Sequence, residues 1–255
     1  MTNNILAIGD IHGRSIWKDI IKHYINYERI NKIVFVGDYV DSFDISADEQ
    51  IKNLRDIINF KLQNKNSVEL LIGNHDIQYY LPLTKLIMVK CSGFQEEKYF
   101  DYHNIFRNYK ELFNISYQFK NYIFTHAGIH RGWYNYRFKE FHLENETLSQ
   151  SLNREFHLEN DVLFDCGYKR GGSFKSGGPL WADKSETYSK PLTGYHQIIG
   201  HTITSNIKYY KKNSDTSVTY IDTQNTQIKA EENGLLIKIK DNGLWETQKI
   251  KTENL

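Results

Sequence analysis

Along the first third of the chain, short apolar runs alternate with segments whose apolar residues return at helical spacing, and this rhythm predicts the elements. Ile5-Leu6-Ala7-Ile8 ends in Gly-Asp, the β-branched run Lys32 to Val36 again ends in Gly-Asp, and Val68 to Ile72 ends in Gly-Asn-His-Asp. Between them lie Ile16, Ile20, Ile21 and Tyr24 in residues 15–28, then Ile51, Leu54, Ile58 and Leu62 in residues 47–62, each set on one helical face. Strand–helix–strand–helix–strand in this order predicts an α/β fold with a sheet that is parallel in part.

Residues 77–113 read as mainly helical and aromatic-rich, with a break near Pro82. Ile115 to Phe119 and Tyr122 to Thr125 flank a Lys120-Asn121 turn and predict a hairpin whose second strand ends at His126. Glu140 to Asn145 (EFHLEN) recurs as Glu155 to Asn160; the offset is about four helical turns, which would put both copies on one side of a continuous helix. A helical insertion or lid is expected over residues 134–170. The last third turns to β, with Gln197 to Gly200, Ile207 to Lys211, Val218 to Ile221, Leu235 to Lys240 and Leu244 to Lys249, and a turn at Asp241-Asn242-Gly243. No Ser/Gly/Pro linker interrupts the chain, so residues 1–255 are expected to form one domain.

Composition narrows the class. A chain of 255 residues, 40% hydrophobic and 25% charged, is long enough to bury a core without disulfide or metal staples. Lys+Arg 32 against Asp+Glu 31 leaves a formal charge of +1, hence no basic field for long nucleic acid. No apolar run approaches a membrane span. The N-terminus lacks a basic region followed by an apolar stretch, so no signal peptide is expected, and a cytoplasmic location is. Cys91 and Cys166 are too few for a disulfide framework and lack metal-ligand spacing.

The chemistry gathers where the apolar runs stop. Five strand-like runs end in residues able to bind metal: Asp10 with His12, Asp38 with Asp41, Asn74 with His75, His126, and His201. A Gly-Asp after a strand is usually only a turn, and a lone Gly-His says almost nothing. Together and in order, the five predict one crevice at the carboxyl ends of the strands, where α/β sheets bind ligands. Gly9, Gly13, Gly37, Gly73 and Gly200 are expected to allow the tight turns that present these side chains. Carboxylate, imidazole and amide oxygen suit divalent Mn, Fe, Zn or Ni better than soft copper.

Gly9-Asp10-Ile11-His12-Gly13, Gly37-Asp38-Tyr39-Val40-Asp41, Gly73-Asn74-His75-Asp76, His126-Ala127-Gly128 and Gly200-His201 together resemble the calcineurin-like metallophosphoesterases. Within that group the chain is similar to the branch of PPP-type Ser/Thr protein phosphatases and symmetrical diadenosine tetraphosphatases, over roughly residues 5 to 223. The resemblance implies a four-layer α/β/β/α sandwich of two mixed sheets flanked by helices, and two divalent metal ions, manganese first. It implies that Asp10 and His12 hold one ion, that Asp38 bridges, and that Asn74, His126 and His201 hold the second. Two such cations activate a shared water and clamp a phosphoryl group for in-line attack. His75 is then the candidate acid for the leaving oxygen, with Asp41 orienting it.

Where protein phosphatases usually carry arginine, after the second Asp of the second block and before Gly-Asn-His, this chain has Ser42 and Ile72. Arg14 and Arg170, the latter on a Gly-rich loop, are the candidates to grip phosphate instead. That loop, residues 171–178, lacks the Gly-Lys-Ser/Thr ending of a P-loop. Asp222 matches a late Asp-Thr of the family and is expected to support the ligands. His23, His103, His142 and His157 fall in helical stretches and read as structural, while His130 and His196 are weighed as supports of the site. The expected activity is hydrolysis of phosphomonoesters, with phosphoprotein favoured. Dinucleoside polyphosphate hydrolysis is the alternative, and a phosphate-binding module without activity is the reading from another class.

Overall fold

In a computed structural model of the chain, residues 3–27, 29–223, 232–240 and 245–251 are described. The first half runs β1 (Asn3–Ile8), α1 (Ile16–Tyr27), β2 (Lys32–Phe35), α2 (Ala47–Gln63), β3 (Val68–Leu71), α3 (Asn74–Tyr80), α4 (Leu86–Val89) and α5 (Tyr99–Asn108). Strands β4 (Phe113–Asn114), β5 (Ser116–Phe119) and β6 (Tyr122–Thr125) follow, then α6 (Arg131–Trp133), α7 (Leu148–His157) and α8 (Lys184–Ser189). The chain closes with β7 (His196–Ile199), β8 (Lys208–Lys211), β9 (Ser217–Tyr220), β10 (Glu232–Ile239) and β11 (Trp245–Lys251). The predicted turn at Asp241-Asn242-Gly243 lies outside the described residues. Among those described, no helix is long and apolar enough to cross a membrane.

The strands form two mixed sheets, ordered β11-β10-β1-β2-β3-β4 and β5-β6-β7-β9-β8. β1, β2, β3 and β4 run parallel, as do β6, β7 and β9, whereas β10 and β5 pair antiparallel with β1 and β6. Alternation along the strands sets the layers. Ile5, Ala7, Val34, Val36 and Leu71 of the first sheet meet Phe124, Ile198 and Ile221 of the second in one buried cluster. The intervening residues Leu6, Ile8, Ile33, Phe35 and Leu70 face the other way, onto Trp17, Ile20 and Tyr24 of α1 and Leu54, Ile57 and Ile58 of α2. Of the predicted α2 face, Leu54 and Ile58 are fully buried and Ile51 and Leu62 half-buried. A reciprocal Ser46–Glu49 capping box starts that helix.

The EFHLEN copies do not share a helix. The first lies in a short 3-10 turn and the coil after it, and the second closes α7. Thr147 caps α7 afresh, with Gln150 reaching back to the Thr147 N–H, and this new start breaks the register between the copies. Asn153 of α7 bonds Ile115 N, Ser116 N and Ser116 O, which docks the helix on the start of β5.

Phe35, fully buried on β2 and edge-on to Trp17 at 5.7 Å, joins sheet and helices. Phe35→Ala is expected to lower unfolding free energy by about 3–5 kcal/mol in urea denaturation; a loss below about 1 kcal/mol would show that the α1–sheet contact carries little weight.

Candidate metal centre

The five expected strand ends belong to two sheets, not one. Asp10, Asp38 and Asn74 follow β1, β2 and β3 of the first, and His126 and His201 follow β6 and β7 of the second. All but the fully buried His126 line a shared cavity of about 470 Å³, together with His12, His75, Trp181 and Asp222.

Loop backbones tie the ends together. Ile11 N and His12 N donate to Asp38 O, and Gly13 N donates to Tyr39 O. Asp76, fully buried, accepts from Asp38 N at 2.7 Å, Tyr39 N at 2.8 Å and Gly73 N at 2.9 Å, so one carboxylate shapes two of the loops. Burial and the neighbouring Asp38 charge push the Asp76 carboxyl up to about 7. The turns carry strain. Of the six non-glycine residues with positive φ among those described, four are His12, Asp38, Asp41 and His201. Several neighbouring glycines are needed for close approach instead: a Cβ on Gly73 would strike the Asp38 carboxylate, and one on Gly200 the Asp10 carboxylate.

Asp38 Oδ2 sits between two imidazoles, 3.7 Å from His12 Nε2 and 3.3 Å from His126 Nε2. His12 Nδ1 lies 2.8 Å from Val40 O, and His126 Nδ1 3.0 Å from Val36 O. Each ring therefore donates its Nδ1–H to a carbonyl and turns an Nε2 lone pair toward Asp38. His126 Nε2 also lies 2.8 Å from Asn74 Oδ1 and 3.1 Å from His201 Nδ1, which is 2.7 Å from the same amide oxygen. His201 N donates to both oxygens of Asp10. Lone pairs facing lone pairs inside a protein repel unless a cation lies among them. The donor sets His12–Asp38–His75 and Asp38–His126–His201 share Asp38, so the residues fit divalent metal; His75 belongs to the first set, and Asp10 to neither.

The electrostatics agree. Burial, then the charges of Asp222 and Asp38, raise the Asp10 carboxyl well above the ordinary carboxylate range. Burial would raise Asp38 too, but His126 and His75 in their cationic forms outweigh it and hold Asp38 low, a part that falls to a metal ion once the His126 Nε2 lone pair is turned inward. Burial drops His12 to about 4 and His201 well below the usual histidine range, leaving both neutral, the form that ligates metal.

Across the cavity His75 Nδ1 lies 3.1 Å from Asp41 Oδ2. Burial works against charge on this imidazole, but Asp38 and the Asp41 bond outweigh it and hold His75 well above its ordinary value. Three residues that sequence reasoning missed fix Asp41: Tyr79 OH donates at 2.6 Å, Gln78 Nε2 by a short bond, and Gln95 Nε2 at 3.4 Å. Gln78 and Tyr79 follow His75 on one short helix, which was the available signal; Gln95 comes from a distant loop and left none. Cys91, which sequence spacing put outside every motif, reaches the same corner with Sγ 3.6 Å from His75 Nδ1.

Arg14 and Arg170 both line the cavity. Arg14 donates to Asp44 and to His12 O, and Arg170 bonds Thr202 and pairs with Asp183. Asp222 is buried and lines it as well. His130 and His196 do not: His130 caps α6, and His196 meets Ser217 Oγ at the start of β7, a strand's length from His201. His142 lies outside any helix, bonded to the Tyr134 hydroxyl, while His103 and His157 sit on α5 and α7 as expected.

No curated protein sequence matches the chain significantly. In fold it is similar to a protein serine/threonine phosphatase from Saccharomyces cerevisiae with similarity to human phosphatase PP5, at TM-score 0.55 and 13% identity, over 98% of this chain and 80% of that one. A metallophosphoesterase from Sphaerobacter thermophilus aligns at TM-score 0.44 and 11% identity, over 97% and 88%. Residues 4–205 match the sequence profile of calcineurin-like phosphoesterases, and with this fold and donor set the chain belongs to that family of hydrolases.

Proposed function

We propose that the protein is a two-cation phosphohydrolase of phosphomonoesters, with phospho-Ser/Thr protein as the favoured substrate class. The observation that carries this reading is Asp38, shared by two donor sets in the cavity that also presents the His75–Asp41 pair. Bound there, two divalent ions, manganese first, would supply Lewis acidity: activation of water and neutralisation of phosphoryl charge. Asp10 and His12 would hold one; Asn74, His126 and His201 the other.

The side chains account for the rest. His75 keeps a proton on the cavity side for the leaving oxygen, and Asp41, itself held by Gln78 and Tyr79, fixes the tautomer and ring angle. Arg14 and Arg170 take the place of guanidiniums missing at Ser42 and Ile72. Each is pre-oriented, Arg14 by Asp44 and Arg170 by Asp183 and Thr202, so little side-chain freedom is lost when phosphate arrives. Asp222, beside Asp10, supports that ligand. One observation favours dinucleoside polyphosphates as a second reading: Phe43, 82% exposed at the cavity rim, offers a flat face to a base.

Chelated protein supplied with Mn²⁺ and an aryl phosphate should regain hydrolysis, and no activity across several divalent metals would count for a binding module. Asp38→Asn should lose both metal occupancy, read by elemental analysis, and about a hundredfold or more in kcat. His75→Asn should keep metal yet slow alkyl phosphates about 10²–10⁴-fold, with aryl phosphates much less affected; unchanged alkyl rates would refute the acid assignment. Arg170→Ala should raise KM about tenfold or more. Phosphopeptide assayed against diadenosine tetraphosphate separates the two substrate readings.

A further inference from the structure

Cys91, His75 and Asp41 bring three different ligand types together, and their donor atoms all lie within 4.8 Å of one another. The spacing has the dimensions of a tetrahedral site. With Zn–N near 2.05 Å, Zn–S near 2.3 Å and Zn–O near 2.1 Å, adjacent donors stand about 3.5 Å apart for N and S and about 3.4 Å for N and O. Cys91 Sγ and His75 Nδ1 are 3.6 Å apart, and His75 Nδ1 and Asp41 Oδ2 are 3.1 Å apart. For these two pairs a cation needs shifts of only a few tenths of an ångström, with water completing the fourth position.

We propose that Cys91 Sγ, His75 Nδ1 and Asp41 Oδ2 form an inhibitory site for a thiophilic divalent cation, zinc first, next to the two-cation centre, whose first donor set also includes His75. The donor sets differ in kind. The centre around Asp38 offers only oxygen and nitrogen, whereas this one adds a thiolate, which favours zinc or cadmium over manganese. Its supports are in place: Asn74 Nδ2 donates toward Cys91 Sγ at 3.7 Å, Cys91 N donates to Gln78 Oε1 at 3.1 Å, and Tyr79 holds the other Asp41 oxygen. Entry is from the catalytic cavity, which His75, Asp41 and the neighbouring Ser92 line.

Binding releases the thiol proton and the Nδ1 proton of His75 to solvent and replaces the His75–Asp41 hydrogen bond with two metal–ligand bonds. His75 can then no longer become the imidazolium that protonates a leaving oxygen. The inhibitory consequence rests on the role of His75 proposed above; the site itself does not.

Cobalt is the spectroscopic probe and zinc the functional one. With the two-cation centre first filled by Mn²⁺, added Co²⁺ should give a sulfur-to-cobalt charge-transfer band in the near ultraviolet, kept in Cys166→Ser and lost in Cys91→Ser. Zn²⁺ added to the manganese-loaded protein should protect Cys91 from alkylation and depress turnover of an alkyl phosphate. Cys91→Ser should need about tenfold or more zinc for the same inhibition. A band absent from the unaltered chain, or surviving in Cys91→Ser, would overturn the site. Equal zinc inhibition in both proteins would place the inhibition at the Asp38 centre and overturn the regulatory claim. Cobalt spectra and alkylation read the site even if the protein hydrolyses nothing, and urea midpoints of both variants show whether they are folded.

Discussion

Everything around the cavity is organised by one electrostatic conflict. Asp10, Asp38 and Asp222 are buried within one cavity wall, and the lone pairs of His12, His126, His201 and Asn74 converge on the same few ångströms. Buried carboxylates and unprotonated imidazoles raise one another's free energy unless positive charge lies among them. The protein's own cations relieve the conflict only in part: His75 faces Asp38, while the nearby guanidiniums are turned to Asp44 and Asp183. The loops hold the arrangement at a further cost, since His12, Asp38, Asp41 and His201 all take left-handed backbone conformations. Such strain persists only where the surroundings over-determine it, and here Asp76, buried under two of the loops, supplies much of that constraint.

Much of the fold was legible because short strands leave a plain signature: three apolar runs in the first third, each stopping at a polar motif, became β1, β2 and β3 in parallel register. The hairpin at Lys120 and the late strands were legible for the same reason. The division of strand ends between two sheets left no trace in apolar periodicity, since Val36 packs on Ile198 and Ile221 across the sheet interface as readily as it would on a helix. Only the resemblance implied it. The EFHLEN copies misled because identical hexamers hide different contexts, and the capping residue Thr147 lies between them.

The candidate site was legible where a possible metal donor follows directly on its strand and obscure where partners come from loops. Asp10, Asp38, Asn74, His126 and His201 could be picked out in order, and the structure brings them together. Gln95 and Cys91 could not be, because the chain between α4 and α5 has neither periodicity nor motif, yet it supplies contacts to Asp41 and His75. Glycines were a half-correct signal: Gly13 and Gly37 turn through positive φ, while Gly73 and Gly200 matter for the space a side chain would deny to Asp38 and Asp10.

The most direct test of the central claim is calorimetric titration of the metal-stripped protein with Mn²⁺, paired with its thermal unfolding. The account predicts two bound ions per chain and a midpoint that climbs with free metal, because each ion relieves repulsion already built into the folded state. Failure to bind, or a midpoint indifferent to metal, would contradict it.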